Sequence, residues 1–299
     1  MPDVQNVPNG DCPHLGHSPV LHVPRKVRLG NRKLTLAAFV FAVAALAAVV
    51  VAGIAVGDAA TATDFAQKNL APSFAHPFGT DWMGRDMLLR TLAGLSTSVL
   101  VGLLAATVSA VIALVLGTAA ALGGKGVDAA VTWLIDLMMG IPHIVLLILI
   151  SFALGKGALG VTIGVAVTHW PSLARVVRAE VLQLKGSTFV AAARKLGQGP
   201  ASIAVRHMLP YVLPQFIVGL ILLFPHAILH EAAVTFLGFG LPPEQPAIGV
   251  ILSESMAYLS AGMWWLAVFP GLALMATALL FDAAGSSLRK LVDPHSAQE

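Results

Sequence analysis

Two histidines four residues apart, His226 and His230, stand near the end of a long apolar run. On a helix that spacing puts both imidazoles on one face, where they can share a divalent transition metal, since zinc, copper, iron and nickel all accept imidazole nitrogen. Glu231 follows at once and is a weaker third candidate. The competing reading is that both rings bond to water and backbone. Asp136 and His143 lie seven apart, about two helical turns, and so are expected on one face. Together with His169 they are candidates for lining a path through the membrane, and a helix-to-helix hydrogen bond is the alternative. From Gly79 to Asp86, Asp81, Arg85 and Asp86 are predicted to pair locally around a turn flanked by Gly79 and Gly84, with Thr80 or Asp81 capping the helix that follows. A direct contact with a solute is the minority reading there. His14, His17 and His22 form a further group, read as part of a flexible tail or as a weak metal buffer.

Other chemistries are excluded. Cys12 is the only cysteine, so no intramolecular disulfide and no thiolate cluster can form. No G-x-x-x-x-G-K-S/T run is present, so the chain has no phosphate-binding loop of that kind.

The elements that must position these residues are membrane spans. Of 299 residues, 57% are hydrophobic and 11% charged, and the mean hydropathy is +0.83. An ordinary soluble domain carries roughly a quarter of its residues as charges. The net charge of +3 is spread over short segments between apolar runs, which argues against a nucleic-acid partner and for a lipid bilayer. Six runs are long enough to cross about 30 Å of hydrocarbon: 34–56, 96–122, 129–154, 158–177, 209–230 and 262–284. The expected fold is therefore all-α and polytopic, with six transmembrane helices. The first run is too long for a signal-peptide core and is expected to stay as an anchor.

With the N-terminus inside, fourteen of the 18 basic residues fall on the cytoplasmic side, leaving Lys68, Arg85, Arg90 and Lys156 outside. The positive-inside rule then predicts both termini in the cytoplasm. The chain divides into a flexible cytoplasmic tail (1–33), a transmembrane domain (34–295) and a short tail (296–299). The long connections are external at 57–95 and 231–261 and internal at 178–208. Pro242, Pro243 and Pro246 predict an extended stretch, followed by a short surface helix over 248–259.

The internal connection carries Ala191, Ala192 and Ala193, strong helix formers, then Gly197, suited to a left-handed cap, then His207-Met208-Leu209-Pro210. Taken by charge alone it is a basic helix on the membrane surface. Its spacing resembles the cytoplasmic "EAA" loop of permease subunits in bacterial ATP-binding cassette (ABC) importers, with Ala191 where the motif name has Glu. Gly79-Thr80-Asp81-Trp82-Met83-Gly84-Arg85-Asp86 resembles the G-T-D-x-x-G-R-D signature of the dipeptide, oligopeptide and nickel branch, and Thr235-Phe236-Leu237-Gly238-Phe239-Gly240 its S-F-L-G-x-G segment.

The resemblance implies a type I permease fold in the bacterial inner membrane, without catalytic centre or cofactor of its own. The implied partners are a second homologous permease, two ATP-binding subunits holding ATP and Mg, and an external solute-binding protein. Ala191, Ala192, Ala193, Gly197, His207, Leu209 and Pro210 would couple to the ATPase. Pro225-His226-Ala227-Ile228-Leu229-His230 and Thr168-His169-Trp170 look like the nickel-type versions of their segments. They favour nickel or another transition metal, free or chelated, as cargo, with di- or oligopeptides as the alternative. A secondary transporter would need a mid-membrane ion pair and no docking loop, the reverse of this pattern.

Overall fold

The computed structural model describes residues 32–292. The histidine group of the N-terminal tail, Cys12 and both chain ends lie outside the described residues. Among the described residues there is no strand, and the chain order is α1 (Arg32–Val56), α2 (Met87–Leu122), α3 (Gly124–Gly140), α4 (His143–Ala153), α5 (Gly157–Lys185), α6 (Thr188–Lys195), α7 (Pro200–Ile203), α8 (Leu209–Phe236), α9 (Ile248–Leu259) and α10 (Trp265–Val292). A π turn, Ala204–Met208, joins α7 to α8.

Six uniform spans are not what the chain builds. Among the described residues, four stretches are long and apolar enough to cross a membrane: α1 with the turn after it, α2, Pro200–Phe236 and α10. The run 129–154 is a bent pair, α3 and α4, turned by 94° at Ile141-Pro142, and counts as a fifth span only if its halves are taken together. The cause is local, because a residue before proline is driven out of the helical region, and Ile141 is extended (φ −93°, ψ 135°). The run 158–177 belongs to α5, which at 29 residues is long enough to cross. Its apolar character is interrupted by His169, Trp170 and Pro171, and it is not among the four.

Packing replaces lipid around α5. Trp170, Leu173, Ala174, Val177 and Val181 are buried against Ala110, Ala113, Ala120 and Ala121 of α2. The approach is close enough that a Cβ at Gly117 would lie 2.7 Å from the Ala174 carbonyl oxygen. Small residues of this kind let helix backbones meet in a membrane. A second apolar cluster joins α1, α2, α8, α9 and α10 through Leu46, Val99, Ile228, Ile251 and Phe281.

At 36 residues, α2 is about 54 Å long, and each end carries a different structure. Lys185 Nζ donates to the Ala121 carbonyl at one end (3.0 Å). At the other, Asp86 caps the helix, its Oδ1 accepting from the Leu88 and Leu89 amides (2.9 and 3.1 Å). The cap is thus Asp86 rather than Thr80 or Asp81, and Asp86 pairs with His76 (2.7 Å) instead of Arg85. Asp81 does pair with Arg85 (2.6 Å) as the spacing predicts. It also holds Arg90 of α2 (3.1 Å), and both arginines reach Glu254 of α9 (3.1 and 2.7 Å). Asp81 and Arg90 are each 2% exposed, so this network is enclosed.

Removing one partner of a buried ion pair costs about 3 kcal/mol or more. Asp81→Ala should therefore lower the melting temperature of the detergent-solubilised chain sharply, and Asp81→Asn less, since the amide oxygen still accepts. Equal melting of all three proteins would show that the network does not hold the fold.

Candidate functional site

The bend between α3 and α4 opens a cavity of about 680 Å³ bounded by the bend itself, by α5 and by α8. Met138 and Pro142 line it from the bend, Ser172 from α5 and Leu223 from α8. Histidines enter from three elements: His143, the first residue of α4; His169, in the middle of α5; and His226 and His230 on α8.

Three of those rings converge. His143 lies 4.4 Å from His169 and 4.6 Å from His230 between ring centroids, and His169 and His230 are 5.0 Å apart, all edge to face. One ring nitrogen from each lies within 4.8 Å of the others. His169 Nδ1 is 3.0 Å from the Val165 carbonyl, and His230 Nδ1 is 2.8 Å from the His226 carbonyl. A carbonyl only accepts, so both Nδ1 atoms carry hydrogen, and in the neutral ring the lone pair is then on Nε2. His169 Nε2 makes a long contact, 3.4 Å, with His230 Nδ1. The Nε2 of His143 is buried without a hydrogen-bond partner among the described residues.

The remaining expected residues are placed as follows. His226 shares the cavity but is exposed, and contributes its carbonyl to His230. Glu231 points elsewhere: fully buried, it accepts from Thr235 Oγ1 at 2.9 Å and stands outside the histidine group. Asp136 and His143 do not share a helix face, because the bend falls between them, and Asp136 pairs instead with Arg175 of α5 (2.6 Å). In the Gly79–Asp86 segment, Thr80 bonds to the Leu70 amide (2.9 Å), and Gly84 takes a left-handed conformation (φ +76°) close to the Asp64 carbonyl, where only glycine fits.

At the opposite end of α2, Ala191 and Ala192 are exposed on α6 while Val190 and Ala193 are buried against α2 and α5. Gly197 closes the turn with φ +80°, and its amide bonds to the Arg194 carbonyl (3.1 Å). His207 Nε2 meets Gln198 Oε1 at 2.7 Å, and Leu209 and Pro210 open α8. Phe189 and Tyr211 stack at 5.2 Å on the exposed side.

A bundle of apolar helices around a largely apolar cavity that bears four histidines, with structured segments at both ends, defines a multi-pass membrane transport component. Residues 113–296 match the family described as "Binding-protein-dependent transport system inner membrane component". Over its full length, and all of the relative's, the chain is 34% identical to a Brucella abortus biovar 1 protein provisionally named a peptide transport system permease. It is 32% identical over 228 residues to the dipeptide transport system permease protein of Bacillus subtilis, covering 76% of this chain and 71% of that one. Among solved structures, inward-facing forms of the MetNI methionine ABC transporter share the fold, with a TM-score of 0.57 and 20% identity over 69% of this chain and 97% of that one. The chain belongs to the binding-protein-dependent inner-membrane family and is a permease subunit of an ABC importer.

Two arrangements escaped sequence reasoning. The meeting of His143 with His169 and His230 depends on the bend, for which Pro142 was the available signal. Glu254 of α9 joins Arg85 and Arg90 across the chain, and the signal there was an arginine near the start of an apolar run.

If the cavity is open to solute, a Ser172→Cys variant in a Cys12→Ser background should react with a small water-soluble thiol reagent. Ser109→Cys, at a fully buried site on α2, should not. Equal protection of both positions would close the cavity.

Proposed function

We propose that the chain forms half of the translocation path of an ABC importer for di- or oligopeptides, paired with a second related permease and driven by two ATP-binding subunits. The observation that carries this reading is the cavity. Its volume of about 680 Å³ falls in the roughly 300–1,000 Å³ range of sites that enclose molecules of drug size and far exceeds a bare ion. The relatives' names favour peptides over the nickel expected from His226 and His230.

In this reading both termini and α6 lie in the cytoplasm, while Asp81, Arg90 and α9 face the solute-binding protein outside. ATP and Mg belong to the partner subunits, whose closure moves α6. Because Val190 and Ala193 are packed against Val177 and Val181 of α5, a push on α6 reaches the helix that carries His169. The subunit then exchanges two conformations, biased by contacts that differ between them.

A strain lacking this chain should lose uptake of labelled di- or oligopeptides and keep uptake of nickel. Intact peptide uptake with lost nickel uptake would reverse the assignment. Separately, Gly197→Val places a β-branched residue at positive φ, costing about 1–2 kcal/mol in the cap alone. Membrane insertion should persist while co-purification of the ATPase subunits and solute-stimulated ATP hydrolysis both fall. Unchanged values would remove α6 from the coupling role.

A further inference from the structure

We propose that His143, His169 and His230 form a binding site for one divalent transition-metal ion, of the zinc, nickel, copper or cobalt class, in the wall of the translocation cavity. This goes beyond the peptide reading and does not depend on it. The three ligands come from three separate elements, α4, α5 and α8, and their nitrogens lie within 4.8 Å of one another. In a tetrahedral site with bonds of about 2.0–2.1 Å, adjacent ligand nitrogens are about 3.3 Å apart. Closing the difference takes ring rotations on the order of an ångström, which the adjoining cavity permits.

The donor chemistry selects the ion. His169 is oriented by a backbone carbonyl at Nδ1, the arrangement that fixes the tautomer and leaves Nε2 free in metal-binding histidines. In His230 the nitrogen nearest His169 Nε2 is Nδ1, which also meets the His226 carbonyl, so binding through its Nε2 takes a turn of the His230 ring. The third, His143, holds a buried Nε2 without a hydrogen-bond partner among the described residues, and a buried polar atom left unpaired is costly. The histidine group includes no carboxylate, and magnesium and calcium require oxygen ligands. Imidazole alone suits the borderline transition metals. Three protein ligands leave a fourth position open toward the cavity, where water or a donor atom of the cargo completes the shell. His226 is excluded from the set, although it is the sequence partner of His230, because its ring is not among those whose nitrogens converge.

The test uses the full-length chain in nanodiscs, with His14, His17 and His22 changed to alanine so that only the bundle is read. Titration with Zn(II), Ni(II) and Co(II) salts, each alone, should give one bound ion per chain, and bound Co(II) should show the visible absorption of a tetrahedral site. Loss of outer-shell partners alone weakens metal sites by about 10–100-fold. H143A, H169A and H230A should each therefore weaken binding by about 100-fold or more and abolish the Co(II) spectrum, while H226A retains both. Melting curves without metal separate ligand loss from misfolding: the single variants should melt near the parent, and the rise in melting temperature on adding Zn(II) should vanish in those three alone. Absence of stoichiometric metal in the parent, or H169A binding as the parent does, or H226A losing binding equally, would overturn the site. Such a result would leave the permease assignment untouched, since peptide uptake reads that separately.

Discussion

Close approach of neighbouring backbones to α2 is the constraint on which the rest of the molecule depends. Lipid is as apolar as leucine, so helices in a bilayer gain little from burying side chains and associate through tight contact and internal hydrogen bonds. Gly102 and Gly117 mark where this happens. A Cβ at Gly102 would meet Ile228 of α8 at 2.5 Å, and one at Gly117 would meet the α5 backbone. One side of α2 thereby seats α5 and another seats α8, the two helices that bring His169 and His230 together. The cavity inherits its width from two glycines that do not line it.

The long apolar elements are legible in the sequence because hydropathy over about twenty residues is a strong signal, and α9 is legible because the proline run isolates it. The bend at Ile141-Pro142 is not, and the reason is instructive. Pro171, Pro214, Pro225 and Pro270 all sit inside continuous helices, as neighbouring helices can re-satisfy the freed backbone groups. A proline in an apolar run therefore does not decide between a tolerated kink and a break, and the surroundings of Ile141 do. The histidine group follows the same logic. The four-residue spacing of His226 and His230 describes one helix face, whereas the convergence on His143 and His169 is a tertiary event that no spacing records. Asp81 shows the same division within one residue, pairing locally with Arg85 and at long range with Arg90.

The two ends of the bundle are built by different means. Beside the α2 N-terminus, the buried Asp81, Arg85 and Arg90 and the half-buried Glu254 tie the 57–86 connection to α9. At the other end, α6 is held chiefly by the apolar contacts of Val190 and Ala193; the Asp136–Arg175 pair there is open to solvent, while Asp128–Arg178 is half-buried and bidentate. An exposed pair such as Asp136–Arg175 contributes little. One end is thus specified by a network of buried charges, and the other combines apolar contacts with fewer directional bonds, among them Lys185 to the Ala121 carbonyl and His207 to Gln198.

The bend has a consequence for how the chain enters the membrane during synthesis. With 17 and 11 residues, α3 and α4 measure about 26 and 17 Å, so neither half reaches across the hydrocarbon by itself. A translocation machinery that sorts segments by length and hydropathy has no reason to retain either half in its final pose. That pose is set by Val131 and Ile135 docking beside α5, and by Leu147 docking against Val161 and Val165 of the same helix. The hinge of the cavity is therefore completed late in biogenesis, after α5 has been made, and a chain arrested before that point holds its future binding wall unformed in lipid.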